Sequence, residues 1–428
     1  NGDFTVKHRN HWMSNITHEV SDLVLTNNYR QDQAIALAHS DCLLRVNEYR
    51  HFINKMEQAG KLNRELEFIP TDEEIVERKS KNEGLTRPEL AVLISYGKGD
   101  FKEILIASKI GTDAFVEKEV ETAFPKSMVK EFKSSVYGHR LKTEIVATQV
   151  ANDLFNHMGI SFVNRIQEST GSDPLEIARA YIVARELFSM HDLFRAIEKC
   201  DFKLDCKIQN SLMKEVIRSV RLATRWILKN NRLGIDVKYL IDQFSKPMDE
   251  LTSQIDKVIT GKRLSAFKVR VAKYIEHGLD EKNAVVLASN HFRYQCLGVT
   301  AVSQTSNRPI SEIACSFFKL GDVLGLDNFA LQLNGLVVNS NWQALAREAF
   351  RDDIEWQQRR ITQGILMDCS NDISIDHCIN EWLDKNAILI ERWNKMMLEI
   401  HSNNEPEIAM ISVAVRELLD LSQASLQV

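Results

Sequence analysis

The sequence predicts an all-α protein, an irregular multi-helix array made of two or three packed helical subdomains. Three observations carry that prediction. The chain has 428 residues, 44% of them apolar, enough to fill several cores. It holds only 17 Gly and 7 Pro, roughly half the usual combined share of about 12%, which is too few for the tight turns of a sheet-rich fold. Apolar residues also recur at three- and four-residue steps behind strong helix-start signals. The clearest start is Gly84-Leu85-Thr86-Arg87-Pro88-Glu89. Thr86 is placed to cap the first free backbone N–H groups, and Glu89 to reach back to the N–H of the cap. Pro88 takes an early-turn position where a missing N–H loses no intrahelical bond.

The elements follow in order. Residues 7–58 predict two helices, the first carrying Ile16, Val20, Leu23 and Val24 and the second starting near Arg30, with Gly60 as a stop. Thr71 caps a helix whose first residues, Asp72-Glu73-Glu74, suit the positive end of the helix dipole. After the Thr86 helix, Thr112-Asp113 and Phe124-Pro125-Lys126 are restart points. One long helix is expected over 126–158, with Gly138 as a point of division and Gly159 as its end, then a shorter helix to Gly171. Asp173-Pro174-Leu175-Glu176 gives another capping box. Cys200 to Cys206 reads as a joint before the helix carrying Leu212, Val216, Val220 and Leu228. Residues 231–261 predict two helices divided near Pro247. The run Val285-Val286-Leu287-Ala288-Ser289 fits either a helix or a short strand. Asn307 to Ser311 restarts order, Gly321 and Gly325 punctuate, and Trp342 opens a segment to about Met367. Ser370 to Ser374 is turn-like, 376–400 reads as one helix, and Pro406 precedes a last one. No fixed-period repeat is visible. The division expected is 1–205, 206–305 and 306–428.

The formal net charge is only -5, with both signs interspersed, so no basic footprint for nucleic acid is expected. No apolar stretch of about 18 residues predicts a membrane span. The seven cysteines are widely spaced and odd in number, which fits reduced thiols in a cytoplasmic protein. The chain starts at Asn1 rather than at a methionine, and the expectation is a fragment or processed product.

Little in the chain has the form of a reaction site. Gly97-Lys98-Gly99 lacks a third glycine at 102 and a strand–loop–helix setting, so it reads as a helix interruption rather than a nucleotide loop. His277 and Glu281 have i,i+4 spacing, yet Gly278 lies between them and no second histidine completes a zinc pattern. Cys200 and Cys206 have no neighbouring Cys/His pair and read as thiols at a helix joint. Trp226, Trp342, Trp356, Trp382 and Trp393 are expected in core or interface packing rather than as a stacking platform. Glu144 and Asn152 should lie within roughly 80° on one helix, with Asn156 continuing the stripe and Asp153 displaced by roughly 100°. Such a stripe suits a buried hydrogen-bond network first, an interdomain surface second and catalysis last. Arg87 and Glu89 read the same way, as cap and anchor.

Four segments carry a resemblance: Asn10–Tyr29 (NHWMSNITHEVSDLVLTNNY), Leu66–Val92 (LEFIPTDEEIVERKSKNEGLTRPELAV), Arg140–Gly171 (RLKTEIVATQVANDLFNHMGISFVNRIQESTG) and Trp342–Asp353 (WQALAREAFRDD). With Ser412–Leu418 (SVAVREL), they span nearly the whole chain. The sequence resembles the C-terminal part of the large bacterial NAD-specific glutamate dehydrogenases. That resemblance implies a parent enzyme that uses NAD and interconverts L-glutamate with 2-oxoglutarate and ammonium. Its glutamate- and nucleotide-binding folds would lie upstream. The catalytic lysine and aspartate of the family have no matching motif here, so no catalytic, cofactor-binding or metal residue is assigned and none of these ligands is expected on this segment. The implied partners are the upstream catalytic region of the same polypeptide and further copies in a homo-oligomer. A free-standing helical interaction or assembly module is the alternative. Ser95 to Phe101 departs from relatives by its two glycines, each expected to cost about 0.5–1 kcal/mol against alanine and to bend or loosen its helix.

Overall fold

A computed structural model describes residues 5–306, 308–338, 340–370, 373–403 and 407–425. Among them are twenty-one α-helices, two short 3-10 segments (Ile110–Thr112 and Val116–Ala123) and no strand. The first helices are α1 (Val6–Ser40), α2 (Cys42–Gln58), α3 (Asp72–Ser80), α4 (Arg87–Ala107), α5 (Lys126–Glu131), α6 (Lys133–Tyr137) and α7 (Lys142–Met158). Then come α8 (Phe162–Thr170), α9 (Pro174–Leu187), α10 (Met190–Glu198), α11 (Cys206–Asn230), α12 (Val237–Ser253), α13 (Ile255–Val258) and α14 (Gly261–Glu276). The last are α15 (Glu281–Ser303), α16 (Ile310–Val323), α17 (Leu326–Gly335), α18 (Asn341–Asp368), α19 (Ile375–Lys385), α20 (Ala387–Ser402) and α21 (Ile408–Ala424). No described helix is long and apolar enough to cross a membrane. The readings at Asn307, at Asn371 and Asp372 within the 370–374 turn, and at Pro406 lie outside the described residues.

The chain forms two compact units, Asn1–Arg185 with Asn210–Lys238, and Glu186–Gln209 with Tyr239–Val428. The three-part division expected from turn signals follows chain order, whereas each unit takes two separate stretches of chain.

The first unit shows how local signals become packing. Thr71 and Thr86 both close reciprocal capping boxes, Thr86 N–H donating to Glu89 Oε2 at 2.7 Å while Glu89 N–H donates back to Thr86 Oγ. Gly159 ends α7 at φ +84° and Gly171 ends α8 at φ +72°, backbone angles that a side chain would strain. α7 sits deep in the unit, packed by α1, α4 and both 3-10 segments. Its Val146, Val150 and Leu154 are fully buried, as are Leu90, Leu93 and Leu105 of α4. Gly97 explains the close approach of these two helices, because a Cβ there would overlap the Phe155 ring. The expected bend at the two glycines is therefore corrected: α4 runs unbroken, and Gly97 is a packing position.

The second unit gathers α16–α21 around Trp393, fully buried, edge-on to Phe329 and donating its indole N–H to Leu324 O at 2.9 Å. Trp382 is likewise buried and donates to Ser425 Oγ at 2.7 Å. In the first unit Trp226 is buried too, but Trp342 and Trp356 lie at the surface, the latter under the Arg359 guanidinium.

Several boundaries differ from the sequence expectations. The first break falls at Asp41, not near Arg30. The 126–158 segment is three helices, interrupted at Phe132, whose ring leaves the helical path to meet Trp12 at 5.1 Å, and again between Gly138 and Leu141. α12 continues through Pro247, because Leu240, Phe244, Met248 and Leu251 form one buried face across it that outweighs one missing hydrogen bond. Val285–Ser289 is helical, inside α15, which Asp280 caps through Asn283 N–H. The 376–400 helix is broken at Asn386, whose amide and backbone N–H both turn back to Trp382 O. Cys369 and Cys378 are joined as a disulfide with Cα atoms 5.8 Å apart, correcting the expectation of reduced thiols at this pair. They stand nine positions apart in sequence, one just past the end of α18 and the other in the first turn of α19.

Gly97→Ala should destabilise the protein by about 1–3 kcal/mol in urea unfolding, because Phe155 has to move. Gly99→Ala, two residues on and facing open space, should leave stability unchanged or raise it by up to about 1 kcal/mol.

Candidate functional site

The densest polar constellation lies within the first unit, and α7 builds it. Asp153 and His157 are one turn apart on α7, and Tyr181 and Arg185 one turn apart on α9. The Arg185 guanidinium, buried at 4% side-chain exposure, bridges two carboxylates: Asp153 Oδ2 at 2.7 Å and Glu119 Oε1 at 2.6 Å. Tyr181 donates its hydroxyl to the same Asp153 oxygen at 2.9 Å. His157 Nδ1 lies 2.8 Å from the Asp153 carbonyl and 3.0 Å from its carboxylate. Burial, then the Asp153 charge, push the Tyr181 hydroxyl well above its ordinary range, so it stays a donor. A carboxylate engaged from several sides holds helices in register; it is poorly placed to take a proton from a substrate.

Two smaller polar groups lie in the same unit. Glu48 on α2 receives Arg45, Arg165 and the Ser161 hydroxyl at 2.8–3.1 Å. Burial alone would raise the Glu48 carboxyl, but Arg45 and Arg165 together hold it below the usual range. Lys98 on α4 donates to Asn156 Oδ1 at 2.5 Å. Asn156 is a neutral acceptor, and desolvation brings the Lys98 ammonium down to about 8.

The residues singled out in the sequence fall as follows. Asp153 and Asn156 join these networks, Asn152 is half-buried beside them, and Glu144 is exposed on the same helix. Glu89 closes its capping box and also receives both 2.9 Å bonds from Arg78, while Arg87 pairs with Asp32 at 2.6 Å. Glu119, Tyr181 and Arg185 escaped sequence reasoning. Only the i,i+4 spacing of the last two pointed to a shared face.

Elsewhere the candidates stay apart. His277 ends α14 and Glu281 begins α15, so their spacing does not place them on one helix face. An open recess of about 300 Å³ in the second unit is lined by Lys199, Cys200, Lys203, Glu276, His277 and Asp280. Burial raises its Cys200 thiol, and Asp280 is engaged as the α15 cap. Cys206 is exposed at the start of α11. A second recess of about 450 Å³, in the first unit, is lined by Cys42, Arg78 and Gly84 to Thr86. Burial raises the Cys42 thiol as well, and its sulfur accepts the Leu85 N–H at 2.9 Å. Neither thiol has the depressed pKa of a nucleophile.

Arg185→Met would leave two carboxylates facing each other without their cation and should cost about 3–5 kcal/mol in urea unfolding. Glu144→Ala, on the exposed face of α7, should change stability by less than about 0.5 kcal/mol. Lys98 should titrate near pH 8 when followed by NMR of a ¹³C-dimethylated sample. Its charged form is disfavoured on folding. The charge therefore costs stability below about pH 8, and that cost should fade as pH rises towards the ordinary lysine value of 10.5. Lys98→Met should be most favourable, relative to the parent, at the low-pH end of that window.

Residues 82–420 match the family described as "Glutamate dehydrogenase, C-terminal". The NAD-specific glutamate dehydrogenase of Pseudomonas aeruginosa is 40% identical over 424 residues, covering 99% of this chain and 26% of that protein. The Halomonas elongata protein of the same name is 39% identical over 425 residues with the same coverage. The Mycobacterium tuberculosis one is 26% identical over 424 residues. The chain thus spans about a quarter of the length of the curated relatives it matches. It belongs to the glutamate dehydrogenase C-terminal family.

Proposed function

We propose that the chain is the noncatalytic C-terminal helical region of a longer NAD-dependent glutamate dehydrogenase, and that it supports packing, assembly or regulation of the catalytic part. The observation that carries this reading is one of coverage. The chain aligns along 99% of itself with NAD-specific glutamate dehydrogenases, yet with only 26% of their length. Hydride transfer to NAD needs a pocket that places the nicotinamide against the substrate, and dinucleotide folds build it on the carboxyl ends of parallel strands. The described residues are helical, without a strand, which supports a nucleotide site elsewhere in the polypeptide. The polar networks of α7 support a scaffolding role, since their charged groups are engaged with one another. On this reading the whole enzyme takes L-glutamate to 2-oxoglutarate and ammonium with NAD, as a cytoplasmic homo-oligomer.

The test is glutamate-dependent NADH formation by the complete reading frame and by residues 1–428, at matched concentration and with helical content checked. Saturable turnover is expected from the complete protein alone. Turnover by the 428-residue chain would place a catalytic site within these helices, and inactivity of both would favour a helical interaction module.

A further inference from the structure

The Cys369–Cys378 bond lies wholly within the second unit, and a buried cation stands at one of its two sulfurs. Cys369 is 8% and Cys378 6% exposed, both in the apolar cluster that holds Ile379 and Trp382. The neighbouring Met367, Ser370 and Ile373 are exposed, so the pair sits just beneath a surface turn. Arg308 supplies the cation, with 4% of its side chain exposed. Its Nη2 donates to Cys369 O at 2.8 Å and Ser370 O at 2.6 Å, and lies 3.2 Å from Cys369 Sγ. Its ionic partner Glu312 stands farther off, at 3.4 Å, and is half-exposed.

A thiol reacts through its thiolate, and a cation in contact with the sulfur favours that form. The carbonyl end of α18 would oppose an anion at Cys369, but Arg308 already neutralises carbonyls there. Cys378 stands in the first turn of α19, where the helix end favours an anion, yet Asp376 shares that turn. Elsewhere burial raises the thiols of Cys42, Cys200, Cys296 and Cys315. The two sulfurs of the pair are therefore unequal, and Cys369 is the one equipped to react first.

We propose that Cys369 and Cys378 form a reversible, peroxide-reactive dithiol site, in which Cys369 attacks and Cys378 resolves. Burial selects the oxidant by size, since hydrogen peroxide reaches a sulfur that a folded protein disulfide does not. The Cys369 thiolate attacks one peroxide oxygen, the O–O bond breaks, and the leaving hydroxide takes a proton to become water. Cys369 is then a sulfenic acid. Cys378 Sγ attacks Cys369 Sγ, the S–O bond breaks, and a second water leaves with the thiol proton. Two thiols have given two electrons to one peroxide, and the new bond ties α19 to the end of α18. A dithiol reductant reverses the step by two successive exchanges and ends as its own cyclic disulfide.

The complete reading frame is reduced with dithiothreitol under native conditions, desalted, treated with dilute hydrogen peroxide, alkylated and digested with trypsin. Peptide 361–385 carries both cysteines and no internal Lys or Arg, so its mass reports the pair directly. The bond should form at least about tenfold faster than the exposed Cys206 is oxidised, and dithiothreitol should reopen it. A bond that resists dithiothreitol in the folded protein is a static link, and overturns the proposal. Formation no faster than oxidation of Cys206 overturns it as well. With Cys378→Ser a sulfenic-acid probe should label Cys369, whereas with Cys369→Ser it should label Cys378 at least about tenfold more slowly. The reverse pattern overturns the order of attack. Arg308→Gln, with helical content checked, should slow oxidation about tenfold and Arg308→Lys should restore much of the rate. An unchanged rate in Arg308→Gln removes the role given to that cation, and the two cysteine variants decide the order of attack even where Arg308→Gln does not fold.

Discussion

A charge enclosed by helices is tolerated only where opposite charge and hydrogen-bond donors surround it, and the first unit depends on how it meets that demand at Asp153. Apolar faces alone allow neighbouring helices to slide by a turn at little loss. The Arg185 guanidinium does not, because it has to reach Asp153 and Glu119 at once. One planar cation thereby fixes α9 against both α7 and the 3-10 segment that carries Glu119. Val146, Val150 and Leu154 supply the burial on α7, and Gly97 lets the Phe155 ring come close to α4. Apolar area draws these helices together, and directional polar contacts select one register from several of similar area.

The second unit solves the problem of register with other chemistry. Its buried indoles each present a large apolar body and one N–H, and both N–H groups find oxygen, Trp393 at Leu324 and Trp382 at Ser425. Arg308, almost wholly enclosed, donates to the carbonyls of Cys369 and Ser370 at 2.8 and 2.6 Å, just past the end of α18. A cation at that end meets the carbonyl groups that a helix leaves unpaired. The Cys369–Cys378 bond lies beside it, so charge and covalent link close the same turn.

What could be read from the sequence was whatever neighbours decide. The Thr71 and Thr86 caps, the stops at Gly159 and Gly171 and the helical class all rest on residues within a few positions of each other. Whatever distant residues decide was hidden. Pro247 announces a break that a buried face on α12 overrides, while Asn386 breaks a helix with no proline or glycine to mark the place. Trp342 and Trp393 look alike in sequence, yet one is exposed and the other enclosed. The polar stripe on α7 was legible as a stripe, and Asp153 and Asn156 were within it. Their partners were not, because Arg185 lies 32 residues from Asp153 and Lys98 lies 58 from Asn156. The thiol pair of Cys369 and Cys378 was lost among seven cysteines of no regular spacing.

The first unit is also assembled from a chain that leaves and returns. Arg232 donates to Thr170 O at 3.0 Å, Ile235 N–H donates to Glu176 at 2.8 Å, and Lys214 reaches back to Asp41 at 2.5 Å. A ribosome makes a protein in one direction, so residues 186–209 of the other unit have emerged before the first can be finished. The two units are not synthesised one after the other as beads on a string would be. Their synthesis is interleaved, and helices made early have to persist unsealed until Lys238 has been added.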